Sequence, residues 1–271
     1  MTLQPLGFKR LVLGLQPGAT SRAAELAAGF ADLFGVELLR LFIDDLDLRH
    51  LAAMPAARAI RASGGWTGLE STIDGFDAAA RIAERQFAAA AWRLARRRFE
   101  IVRAAAAQAV ASAARAEDIV AIVPPEAGAD RAAEPFASLI AAAFRSAAAV
   151  LLAPLSPVRA SGPVVALAAA PDDPSVDVAG AIANVAGERL IVVDIRALSG
   201  RALRVERTRD ARRSVERGPL DYASDAAPHI PAGLTERLIV VTRGAIRDDL
   251  TLATALARGV PVLSLGSRQT G

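Results

Sequence analysis

Two stretches of the chain decide its fold: residues 11–43, LVLGLQPGATSRAAELAAGFADLFGVELLRLFI, and residues 163–195, PVVALAAAPDDPSVDVAGAIANVAGERLIVVDI. They can be laid on one another without a gap at a constant offset of 152, which matches Val12 with Val164, Leu15 with Leu167, Leu26 with Val178 and Phe30 with Ile182. The same register matches Leu33 with Val185, Gly35 with Gly187, Leu38 with Leu190 and Leu41 with Val193. Self-similarity of this kind marks one architectural unit used twice. Each stretch opens on a short apolar run, crosses a turn, continues with apolar residues at helical spacing and closes on a glycine before a second apolar run. In the first stretch the helical face is Ala23, Leu26, Ala27, Phe30 and Phe34. Thr20 or Ser21 stands at the N-cap position there, and Asp172 or Asp173 stands there in the second stretch, ahead of Pro174. Gly35 and Gly187 are the C-caps. Two parallel strands joined by a helix make a right-handed crossover.

The later segments correspond with changed spacing. Glu117 to Val123 resembles Glu236 to Thr242 at an offset of 119, and Val150-Leu151-Leu152 resembles Val262-Leu263-Ser264 at 112, so the second copy is shorter by 33 residues and then by 7 more. In the first copy the interval holds a long helix through Phe76, Ala80, Ala83, Phe87, Ala90 and Leu94, a strand Phe99 to Val102 and an Ala-rich helix Ala104 to Arg115. In the second it shrinks to a short strand, Leu203 to Val205, and a stretch carrying Pro219, Pro228 and Pro231. The expectation is an α/β protein of two Rossmann-like units with parallel five-stranded sheets, residues 1–156 and a truncated 162–271, divided within Leu155 to Gly162.

Composition excludes several classes of function. A 53% apolar content over 271 residues is ample for buried cores, while 4% aromatics leaves little for a base-stacking platform. The pI near 10.3 is a titration effect, since the net charge is only +3 and Lys9, Tyr222 and the absence of cysteine leave almost nothing to deprotonate below arginine. Nucleic acid is therefore not an expected partner. Without cysteine there is no disulfide, thiolate nucleophile or Cys-ligated metal. Met1 to Lys9 lacks a charged segment followed by an apolar run, and a cytoplasmic location is expected. Phe136 to Leu155 has Arg145 as its only charge, but mid-span arginine costs about 2.5–3.5 kcal/mol in a bilayer, and a helix followed by a buried strand explains the segment better than a membrane span.

The element order resembles that of the universal stress protein family. The residues that carry the resemblance are Val12-Leu13-Gly14-Leu15 and its turn, Phe99 to Arg103, Ala116 to Val120, and Ser138-Leu139 leading through Arg145 to Val150-Leu151-Leu152. In the second half it rests on Leu238 to Val241 and Val260 to Leu263. Tandem members of that family pack their halves as an internal pseudo-dimer, which the resemblance implies here, with a further homodimer or a protein partner open. Nucleotide-binding members carry a glycine-rich loop, Gly-x2-Gly-x9-Gly-Ser/Thr, whose bare amides cradle phosphates at a helix N-terminus. With the register fixed on Ser138, those glycine positions fall on Pro124, Ala127 and Ala137. Proline has no amide hydrogen to donate, and the added Cβ atoms crowd a phosphate. Gly128 restores a glycine only if the register slips by one. The aspartate common after the first strand of the family is replaced by Gln16, and by Ala168 in the second copy. The candidate nucleotide pocket is thus Gln16, Gly18, Asp44, Gly128 and Ser138, with ATP binding expected to be weak or absent.

Other chemistry is sparse. His50 and His229 lie far apart in irregular segments, which suits surface histidines. Asp44, Asp45 and Asp47 follow a strand at the carboxyl edge, where they could hold a divalent ion or ribose hydroxyls or form a solvated acidic turn. Arg243 and Arg247, after the fourth strand of the second copy, could meet an anion or sit in a solvated turn and cap. Arg201 to Arg217 contains seven arginines and reads as a solvated mixed-charge helix, with an acidic partner as the alternative. The insert 46–75, with Trp66, reads as a partly helical flap. No nucleophile, base and orienter set is visible, so the expected function is a non-enzymatic stress-response or regulatory protein. An ATP-binding member and a small nucleotide hydrolase are the alternatives.

Overall fold

A computed structural model describes residues 7–15, 21–44, 46, 49–50, 54, 58–60, 66–68, 70–124, 134–154, 159–170, 172–195 and 235–266. The strands are β1 (Arg10–Leu15), β2 (Glu37–Asp44), β3 (Arg58–Ile60), β4 (Trp66–Gly68), β5 (Arg97–Arg103), β6 (Asp118–Ile122) and β7 (Ala149–Leu152), followed by β8 (Val164–Ala168), β9 (Leu190–Asp194), β10 (Leu238–Thr242) and β11 (Val262–Leu265). The helices are α1 (Ser21–Phe34), α2 (Glu70–Ala90), α3 (Ala106–Ala113), α4 (Glu134–Arg145), α5 (Pro174–Ala186) and α6 (Asp248–Arg258).

Nine of these strands form one sheet in the order β5-β2-β1-β6-β7-β11-β10-β8-β9, and β3 pairs with β4 in a separate antiparallel ribbon. Every neighbouring pair in the large sheet is parallel except β7 with β11. The expected α/β architecture is therefore present, with five parallel strands from the first half and four from the second among the described residues. The two sets are joined edge to edge, with Val262 opposite Leu152, Leu263 opposite Leu151 and Ser264 opposite Val150. The segment 203–205, expected to supply a further strand, lies outside the described residues.

Both faces of the sheet are covered, which is why β1, β6, β7, β8 and β10 read as unbroken apolar runs. Successive residues serve different cores. Leu11, Leu13, Ile119, Leu151, Val164, Leu238 and Leu263 pack under α1, α2 and α5 through Ala27, Phe30, Phe87, Ala179 and Ile182. Val120, Val150, Val165, Leu167, Ile239, Val241 and Val262 pack under α3, α4 and α6 through Ala109, Val110, Leu139, Ala143 and Ala255. Alanine on the helices lets them approach the sheet closely. Gly35 and Gly187 close α1 and α5 in the left-handed region at φ 66 and 67, a conformation that costs glycine little.

One expectation is corrected by the sheet register. From helix to second strand the offset of 152 holds, because Leu38 and Leu190 share one face of the sheet, and Gly35 and Gly187 share one backbone conformation. In the first strands it does not. Leu11 pairs with Leu38 and Val164 with Leu190, so Leu11 corresponds to Val164, and Val12 to Val165. The gapless match of Val12 with Val164 and of Leu15 with Leu167 is therefore one residue out of step, and the second turn is one residue shorter. A one-residue slip sends every side chain to the opposite face, but a strand buried on both faces has no polar alternation to reveal it.

The seam at β7 and β11 is tight. A Cβ on Gly266 would lie 2.2 Å from the carbonyl oxygen of Ala147, backbone that cannot move without disturbing β7. Gly266→Ala is expected to destabilise the chain by at least about 2 kcal/mol. Gly180→Ala, on a helix where the new Cβ meets only the side chain of Leu190 at 3.6 Å, is expected to be neutral or stabilising by up to about 1 kcal/mol. Urea denaturation of the two variants against the parent checks the contrast.

Candidate functional site

In a doubly wound sheet, ligands bind beyond the carboxyl ends of the strands at the point where strand order reverses. The first half reverses between β1 and β6, and the second between β8 and β10. At the second switch point the head of α5 is occupied by the protein itself. Asp173 is the N-cap residue, buried, and its carboxylate accepts from the Ser175 amide at 2.9 Å, the Ala169 amide at 2.8 Å and the Thr242 hydroxyl at 2.5 Å. One side chain thus ties the turn after β8, the first turn of α5 and the end of β10. Burial opposes its ionisation, but hydrogen bonds from Thr242, Ala169 and Ser175 outweigh that effect and hold its pKa below the ordinary aspartate value. A carboxylate already stands where a helix N-terminus in this fold receives an anion.

The turn after β10 is short. Ala245 donates its amide to the Thr242 carbonyl at 3.0 Å, Arg243 forms an isolated bridge with Ile246, and α6 begins at Asp248. Arg247 pairs with Asp249 at 2.7 Å on the surface, in agreement with the solvated-turn reading. Arg243 does something else. Its guanidinium crosses to the first half, donating to the carbonyls of Ser146 at 2.5 Å and Ala148 at 2.6 Å, and lies 5.7 Å from the centre of the Phe144 ring. Burial lowers its pKa, an effect partly offset by the charge of Asp248. This arginine fastens the turn between α4 and β7, so its role is structural.

In the first half Asp44 ends β2 and is buried. Its Oδ1 accepts from Arg49 Nε at 2.5 Å and its Oδ2 from Arg103 Nε at 3.3 Å, while Arg49 also reaches Asp77 at 3.3 Å. Asp44 is thus engaged by two arginines, one of them on the insert. Pro124 follows β6 and is buried. Ser138 is half-buried and is the fifth residue of α4, beyond the four amides that a helix leaves free at its start. Gln16, Gly18 and Gly128 lie outside the described residues, as do Asp45, Asp47, His229, the segment 201–217 and part of the insert. His50 is exposed. Among the described residues there is no group of three or more His, Asp or Glu that could hold a metal, and no helix long and apolar enough to cross a membrane.

Sequence reasoning placed a cap at Asp172 or Asp173 but missed its bond to Thr242, 69 residues away, and missed Arg243 as a clasp. It also missed Arg40, hidden in the apolar run of β2. That guanidinium is buried under α2, donates to the Ala83 carbonyl at 2.7 Å and lies 5.9 Å from the centre of the Phe99 ring. Burial brings its pKa down to about 10.

The fold is that of universal stress proteins. A crystal structure of a universal stress protein from Archaeoglobus fulgidus DSM 4304 is similar over 97% of this chain and 99% of its own, at TM-score 0.56 and 13% identity. A protein of unknown function from Pseudomonas aeruginosa PAO1 is similar over 97% of this chain and 95% of its own, at TM-score 0.50 and 13% identity. No family model and no curated protein matches the sequence.

Replacing Asp173 tests the self-filled site. A carboxyl with a depressed folded pKa adds stability that is fully present above its unfolded pKa of about 3.9 and is lost as pH falls through the folded value. Asp173→Asn is expected to cost about 1–2 kcal/mol at neutral pH and to flatten the fall in stability below about pH 4, measured as denaturation midpoints against pH.

Proposed function

We propose that this chain is a tandem member of the universal stress type, made of two copies of one unit at residues 1–156 and 162–271. In this reading it acts in the cytoplasm as a non-enzymatic stress-response or regulatory protein, through its conformation and a protein partner. The shared element order, the equivalent caps at Gly35 and Gly187 and the edge-to-edge seam support the two-copy reading.

The observation that carries the non-enzymatic, weakly binding reading is the carboxylate of Asp173 at the head of α5, which leaves the second switch point with its own anion in place. Ionised and hydrogen-bonded on three sides, it would repel a phosphate. Two features of the first half point the same way. Pro124 follows β6 without an amide hydrogen, and Ser138 lies one turn inside α4. Asp44, which could hold ribose hydroxyls, is neutralised by Arg49 and Arg103.

A ligand present at 100 times its dissociation constant adds about 2.7 kcal/mol to stability, which moves the melting temperature of a chain this size by several degrees. Incubation with ATP, AMP or cyclic AMP at about 1 mM is expected to shift the melting temperature by less than about 1 °C, with no ADP or phosphate released. A shift of several degrees with ATP would select the nucleotide-binding alternative, and released phosphate the hydrolase.

A further inference from the structure

A groove of about 260 Å³ opens on the α1 side of the sheet, with walls from both halves. The first half contributes α1, through Arg22, Glu25, Leu26, Gly29, Phe30 and Leu33. Arg159 and Ala160 from the connection, and Arg237 immediately before the second half's β10, complete it. Its floor is apolar, and its rim carries three guanidinium groups against one carboxylate.

Two of the three cations at the rim are not spent on neighbours. Among the described residues neither Arg22 nor Arg237 has an ion-pair partner. Arg159 is partly engaged, since its Nη1 donates to the Glu236 carbonyl at 3.3 Å and stands 4.0 Å from the Glu236 carboxylate, which also accepts Nε and Nη2 of Arg258. The floor is also unfinished, since Leu26 and Leu33 are only half-buried on a helix whose other apolar residues are covered. Gly29 widens the groove, because a Cβ built on it meets nothing within 4 Å. Glycine in mid-helix is unfavourable relative to alanine, so open space here comes at a cost in helix stability.

These features select one chemistry. A small inorganic anion would satisfy the arginines and leave Leu26 and Leu33 in water, whereas an uncharged hydrocarbon would cover the leucines and desolvate the arginines without compensation. We propose that the groove binds an anionic amphiphile, a single alkyl chain on a carboxylate or phosphate head. The chain lies along Leu26, Gly29 and Leu33, and the head meets Arg22 and Arg237. The volume lies near the lower end of small-molecule sites, roughly 300–1,000 Å³, and fits a short to medium chain.

The test is calorimetric titration of the full chain with sodium decanoate and, separately, decyl phosphate, both below their micelle concentrations, with decanol and acetate as controls. Saturable one-to-one binding of either anionic amphiphile, at least about tenfold tighter than decanol or acetate, is expected, and the tighter of the two identifies the head group. Gly29→Leu fills the groove with a better helix former and should keep or raise the melting temperature while weakening binding at least about tenfold. Arg237→Glu should weaken binding similarly, and raised salt should weaken the parent. Absence of saturable binding, decanol binding as tightly as decanoate, or an unchanged affinity in folded Gly29→Leu would each overturn the proposal.

Discussion

The antiparallel pairing of β7 with β11 is the constraint on which the rest of the structure depends. It turns five parallel strands and four parallel strands into a single sheet, and it sets the helices of both halves on common faces: α1, α2 and α5 on one, α3, α4 and α6 on the other. Neither half then has an exposed inner edge with unpaired amides. The close backbone approach at Gly266 and the two carbonyl bonds from Arg243 lie beside this seam, so the strongest local restraints and the sheet junction coincide. The groove formed by α1, Arg159 and Arg237 is a further product of the same junction, because its walls come from both halves.

Groups that serve ligands elsewhere in doubly wound folds serve the protein's own packing here. Asp173 provides the anion at the head of α5, and Arg243, from the loop that follows β10, provides donors for the opposite half. Asp44 is held between Arg49 and Arg103. Each of these is a charge-assisted contact in a partly dry setting, where a hydrogen bond to an ionised group is worth about 1.5–3 kcal/mol. Of these, the bonds of Arg243 cross between the halves and fasten one to the other.

Buried charge follows a consistent pattern. At the amino ends of the strands in each half, Asp118 accepts both Nε and Nη2 of Arg10, and Glu236 does the same for Arg258, so each carboxylate stands at the entry to β6 or β10 with a bidentate arginine. Arg40 and Arg243 are exceptions: each has backbone carbonyl and aromatic partners in place of a bidentate carboxylate, and the depressed pKa of each records the cost of that burial.

The sequence by itself determined the α/β class, the order of the helices and strands in the large sheet among the described residues, a cap at Asp172 or Asp173, the caps at Gly35 and Gly187, and the reading of 136–155 as helix followed by strand. Each depends on local chemistry: apolar spacing, a short polar cap, a glycine able to take positive φ. Tertiary structure alone decided the register of the first strands, since a strand buried on both faces carries no alternation and Val12 against Val164 reads as well as Leu11 against Val164. It alone joined the two halves at β7 and β11, and it alone directed Asp173 to Thr242 and Arg243 to Ser146 and Ala148. Those contacts span 69 to 97 residues and depend on where strands meet in space, which apolar periodicity does not encode.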